Sequence, residues 1–131
     1  MKFATVIKEL AAYLTGSGAE EFVPEMWRDG CGAVFISGRA ETVCTYVDGS
    51  AVVRLPIEVR VRCDALGEGD RIRTLQIFDK ITQYAEHTPF SGFDALFEVK
   101  ECARKDKSHS AGVDEYVLPC ALIYHISADG I

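Results

Sequence analysis

The 131-residue chain lacks most of the short signatures that announce chemistry. It contains no C-x-x-C pair, no G-x-S-x-G, no Walker loop, no H-E-x-x-H and no G-x-G-x-x-G. Zinc-ribbon, nucleophile-elbow, P-loop, zincin and dinucleotide-binding readings therefore have no local support. No apolar run approaches the ~20 residues that a membrane-spanning helix needs. The start, MKFATVIKELAAYL, carries polar residues every few positions and no small-residue cleavage site, so it does not read as a signal peptide. Positive charge is also in short supply. With 14 Lys+Arg against 20 Asp+Glu the net charge is −6, opposite to the basic excess of proteins that wrap nucleic acid. There is no internal repeat and no low-complexity tract.

What is present is ordinary globular material, 48 % hydrophobic and 26 % charged, in a length that suits one domain spanning residues 1–131. A core of that size needs neither a disulfide nor a metal. The five cysteines (31, 44, 63, 102 and 120) are odd in number and widely spaced. They are expected to be reduced, buried and core-packing. These features point to a cytosolic protein.

Apolar residues at Phe3, Val6, Ile7, Leu10, Ala11 and Leu14 fit one face of a helix, which Gly16 or Gly18 can close in the left-handed conformation. From Phe22 to Ala33 the pattern fades into an irregular arm holding Trp27, which either covers the core or anchors a partner. Ala33–Ile36 and Glu41–Val47 read as strands, and Asp48-Gly49 as a tight hairpin with both residues tolerant of positive φ. The clearest strand follows. Val53, Leu55, Ile57, Val59, Val61 and Cys63 occupy one face, with Arg54, Glu58, Arg60 and Arg62 on the other. Pro56 implies an edge, bulge or bend in mid-strand.

Asp70 is placed to cap a second helix with Ile72, Leu75, Phe78 and Ile81 along its stripe, ended by Thr88-Pro89. Gly67-Glu68-Gly69 before it reads as a turn rather than an anion cradle, because Glu68 and Asp70 would repel a phosphate. Ala95–Ala103 is a further strand. Residues 104–115 (RKDKSHSAGVDE) are expected to form a solvated, mobile hairpin loop. Tyr116–Ile126 is apolar on both faces, as a central strand or an oligomer contact would be. The expected fold is α+β, an antiparallel β-sheet with two helices packed on one face, in the order α-β-β-β-α-β-β.

His87, His109 and His125 share no motif with a cysteine or carboxylate, so catalytic, cofactor-binding and metal-ligating residues are expected to be none. The one ordered polar constellation is Arg54, Glu58, Arg60 and Arg62. It is either a solvated face with weak cross-strand pairs or, together with Trp27, a surface that meets a neighbouring subunit.

The run TYVDGSAVVRLPIEVRVR (residues 45–62), the helix GDRIRTLQIFDKITQY (69–84) and the strand YVLPCALIY (116–124) resemble the small minor capsid or tail-terminator (tail-completion) proteins of long-tailed bacteriophages. The likeness extends over most of residues 1–126 in element order. Ile57 stands where that family commonly has an aromatic residue, and the arm around Trp27 has no clear counterpart there. The resemblance implies a non-enzymatic virion building block without cofactors. It would assemble in the bacterial host cytoplasm from a phage or prophage gene and reside in the virion tail or neck. It implies a homo-oligomeric ring, a hexamer by the family pattern, closing the head-proximal end of the tail. The partners are tail tube and head-tail connector proteins, with DNA only passing through the lumen and no membrane. The competing expectation is a cytosolic α+β domain that binds a ligand or protein between sheet and helices without catalysis.

Overall fold

A computed structural model describes residues 3–25, 32–64, 67–90, 95–109 and 112–127. Trp27 and Cys31 lie outside the described residues. Among the described residues, two helices and seven strands follow in the order α1 (Phe3–Thr15), β1 (Phe22–Pro24), β2 (Gly32–Ile36), β3 (Glu41–Thr45), β4 (Ala51–Asp64), α2 (Glu68–His87), β5 (Leu96–Val99), β6 (Arg104–His109) and β7 (Val113–Ile126). The expected α+β class holds, with two strands more than the sequence pattern predicts.

The spine is a ladder between the two 14-residue strands β4 and β7, antiparallel and in register from Ala51↔Ile126 to Asp64↔Val113. On its free flank β4 pairs first with β3 and then with β2; β7 pairs with β6 and then with β5. A proline stands at each change of partner. The carbonyl of Pro56 accepts from Ser37 N at 3.0 Å, between the β3 and β2 ladders, and that of Pro119 accepts from Lys100 N at 2.9 Å, between β6 and β5. A residue's N–H and C=O point to the same side of a strand, so each missing donor faces a break where no ladder bond is required. The sequence suggests an edge, bulge or bend at Pro56; it stands inside a central strand, and the β4–β7 register runs through it unshifted.

β1 falls in the stretch that the sequence pattern makes irregular, yet it runs parallel to β2. It is possible because Gly32 lets the Phe22 ring lie on the backbone: a Cβ there would clash with Phe22 Cε1. Thr15 Oγ1, at the end of α1, donates to Ala11 O at 2.9 Å and accepts from Phe22 N at 3.0 Å, tying helix to strand. The helix closes through Gly18, at φ 77°.

Both helices cover one face of the sheet. Val6, Ile7, Leu10, Ala11 and Leu14 of α1 join Ile77, Phe78 and Ile81 of α2 over the Val53–Val61 face of β4 and Leu118, Cys120 and Leu122 of β7. The largest of these, Phe78, Leu10, Leu14 and Ile81, are essentially fully buried, so the layer between sheet and helices is filled. The inward stripe of α2 is Thr74, Ile77, Phe78 and Ile81, whereas Ile72 and Leu75 are exposed. Steps of three residues fall about 60° short of a full turn, so a 72-75-78 row spirals off the buried face. Asp70 does not cap: Gly67 is the N-cap, and its carbonyl accepts from Asp70 N and Arg71 N. Of the cysteines expected in the core, Cys63 and Cys120 are buried but Cys44 and Cys102 are exposed.

The segment expected as a mobile 104–115 loop is a hairpin arm. β6 pairs with β7 from Arg104↔Val117 to His109↔Val113, with a bulge between Lys105 and Lys107. The Asp48-Gly49 turn is also looser than a two-residue hairpin. Only Gly49 takes positive φ, 89°, and bonds from Tyr46 N to Ser50 O and from Gly49 N to Tyr46 O close a three-residue loop.

Replacing Gly32 with alanine should lower the unfolding free energy by about 1–3 kcal/mol, because the Phe22 ring has to move or β1 must detach. Urea titration of the two proteins measures this, and an unchanged midpoint would show that the close approach is not structural.

Candidate functional site: the outer face of the sheet

The even-numbered residues of β4 face away from the helices, and the register of the sheet brings other strands' side chains beside them. Arg54, Glu58, Arg60 and Arg62 all lie on this outer face, as expected, but they do not act as one constellation. Glu58, Arg60 and Arg62 belong to an ionic cluster near the β6 arm. Arg54 stands apart, opposite Ile123 of β7 and Glu41 of β3.

The cluster is built around Glu115, whose side chain is only 3 % exposed. Arg60 Nη1 donates to Glu115 Oε2 at 2.6 Å and to Asp106 Oδ2 at 2.7 Å, while Arg60 Nε and Nη2 both donate to Glu58 Oε1. Arg62 Nε reaches Glu115 Oε1 at 3.2 Å, and His109 Nε2 lies 3.0 Å from the same oxygen. An ionised carboxylate can only accept, so His109 carries its proton on Nε2 in this contact. One guanidinium thus joins three carboxylates on β4, β6 and β7. Val117, the register neighbour of Arg60, is fully buried although no helix of the described residues packs on that side.

Electrostatics follow from this packing. Burial raises the Glu115 carboxyl, but hydrogen bonds from His109, Arg60 and Arg62 outweigh it and hold the group below the usual glutamate value. Asp106 is likewise lowered, chiefly by its bond from Arg60. For Arg60, burial works against the charge, while Asp106, Glu58 and Glu115 together raise its pKa above the ordinary arginine value. An open groove of about 360 Å³ lies over the cluster, walled by Phe35, Ile36 and Ser37 and floored by Arg60 and Glu115.

Glu115, Asp106 and His109 are the members that the sequence pattern does not single out, because all three fall in the polar 104–115 stretch that reads as a loop. The alternation of β7 does extend back through Val117, Glu115 and Val113, and that is the available signal.

Toward the other end the outer face turns apolar. Val52, Pro56 and Ile123 are half-buried, and Leu96 is 63 % exposed. In their midst Arg54 Nε is buried without a hydrogen-bond partner among the described residues, a condition that costs about 1–3 kcal/mol. Beyond it the β3–β4 hairpin stands clear of the core, with Val43, Tyr46 and Val47 all exposed. At the tip Asp48 Oδ1 accepts from Ser50 N at 2.9 Å and Ser50 Oγ at 2.6 Å, and these bonds hold the carboxyl below its usual value.

Among the described residues no group of three His, Cys, Asp or Glu could hold a metal ion, and no helix is long and apolar enough to cross a membrane. No protein-family model matches the chain, and no curated protein matches its sequence.

Glu115→Gln should reduce stability at neutral pH by roughly 2–3 kcal/mol, since Arg60 and Arg62 lose a buried counter-charge. It should also flatten the acid limb. A carboxyl lowered in the folded state contributes stability above its unfolded pKa of about 4.3, and that contribution is lost as pH falls through the folded value. Urea midpoints between neutral pH and about pH 2 should therefore converge for the two proteins. Parallel curves would mean that Glu115 is not the group responsible.

Proposed function

We propose that the chain is a non-enzymatic structural subunit that works by assembling with copies of itself, as a tail terminator or related neck component of a long-tailed phage or prophage. The observation that carries this reading is the β3–β4 hairpin. It flanks the end of the spine, clear of the core, and leaves Val43, Tyr46 and Val47 exposed together, a cluster of apolar surface suited to a contact. The one-sided layering agrees with it, because the helices take one face of the sheet and leave the other for contacts between subunits. In this role the subunits form a ring, six in number by the resemblance, that ends the tail tube and offers its other side to the connector. DNA passes the lumen without sequence readout, which suits a chain of net charge −6.

The internal ion pairs change which residues serve that contact. Arg60 is committed within the chain, its side chain only 11 % exposed, so it holds the β6 arm in place. Reversing Arg60 and Arg62 would disturb the fold as much as any interface.

Sedimentation velocity and negative-stain imaging, with the protein alone and with the tail tube protein of the same phage or prophage, test the role. The expected result is a closed ring, formed by concentration or on the end of tubes, together with shorter and uniform tubes. A chain that stays monomeric in both conditions and leaves tube length unchanged overturns it.

A further inference from the structure

Two features of the same surface are chemically complementary. The outer face around Val52, Pro56, Ile123 and Leu96 is largely apolar, with Arg54 in its midst and Glu41, Glu98 and His125 around it in register; among the described residues Arg54 Nε is buried and lacks an acceptor. The hairpin tip is an exposed apolar knob, with Val47 fully solvent-accessible and Tyr46 50 % exposed, and it carries one carboxylate. Both donors of Ser50 go to Oδ1 of Asp48, which leaves Oδ2 for a neighbour. Within one copy the two features do not meet: the register sets Glu41 and Ile123 beside Arg54, while Asp48 belongs to the turn beyond the strand end.

We propose that the patch around Arg54 is a socket for the β3–β4 hairpin tip of a second copy of this chain, with Asp48 of the incoming tip meeting the Arg54 guanidinium. The proposal rests on the assembling role argued above and names the contact through which it acts. The contact is heterologous, tip to face, so each copy offers one knob and one socket and growth proceeds head to tail. Tyr46 and Val47 cover the apolar patch, and the Asp48 carboxylate meets the outer edge of the Arg54 guanidinium, whose Nε is itself buried. Glu58, Arg60 and Arg62 take no part, because their charges are satisfied inside the chain.

A reciprocal charge exchange reads this contact directly. Arg54→Glu places a carboxylate in the socket, and Asp48→Arg places a cation on the tip. Each variant alone opposes like charges at every tip-to-face contact and should weaken assembly by about tenfold or more. An equimolar mixture restores every contact if the copies alternate. The altered tip of one variant then meets the altered socket of the other, and the unaltered Asp48 tip meets the unaltered Arg54 socket. Sedimentation velocity should show each variant as a monomer and the mixture as wild-type-sized assemblies with the two variants in equal amounts. Arg54→Met and Asp48→Asn, which keep the stem and the Oδ1 acceptor, should weaken assembly without loss of fold by circular dichroism. If the wild type assembles and Arg54→Glu assembles equally well, or if the mixture of two folded variants stays monomeric, the socket is wrong while the structural role stands. If the wild type never assembles, even with the tail tube protein, both fall.

Discussion

The 14-pair ladder between β4 and β7 is the constraint on which the rest of the molecule depends. Two strands of that length give each face of the sheet a long row of side chains, and their free flanks accept two short strands apiece. Everything else is attached to this spine. The helices lie on its apolar face, β3 and β2 share one flank, and β5 and β6 share the other. The prolines fit the same scheme. Pro56 and Pro119 sit where a flank changes partner, so the residue that cannot donate falls where no donor is required.

The spine also determines how the outer face is divided. Over β6 the sheet brings Arg60, Glu58, Asp106 and Glu115 within hydrogen-bond reach across three strands, and the low accessibility of Glu115 strengthens those pairs. Exposed ion pairs contribute little to stability, but here the central carboxylate is buried and removal of either partner leaves a buried charge uncompensated. The cluster therefore accounts for an arm whose sequence, RKDKSH, has little strand propensity of its own. Local preference would leave that arm in water; cross-strand charge holds it on the sheet.

This is also the limit of what is legible in the sequence. The alternation from Val53 to Cys63 and the α1 face from Val6 to Leu14 depend on neighbours within a few residues, and both are as expected. The α+β class and the charged face of β4 follow from them. The features that escape depend on distant partners. Arg60 meets Glu115 from 55 residues away, and β1 exists because Gly32 admits the Phe22 ring. Neither leaves a periodic mark. The outward turn of Ile72 and Leu75 is of another kind. There the three-residue spacing is visible, but a row with that spacing drifts around the helix instead of staying on one face.

Arg54 and Arg60 show why a charged face cannot be treated as one surface. They lie on the same side of the same strand, and sequence alone ranks them equally. Arg60 has neighbours that carry carboxylates on three strands, so its charge is balanced within the fold. Arg54 has Ile123 and Glu41 beside it in register, and its buried Nε has no acceptor among the described residues. A satisfied cation gives a partner little to gain, because its existing bonds must be broken first. An unsatisfied one, desolvated already by its surroundings, has met part of the cost of binding before any partner arrives. The two ends of the face therefore differ in kind: the Arg60 end is balanced within the fold, and the Arg54 end keeps an unmet donor among the described residues.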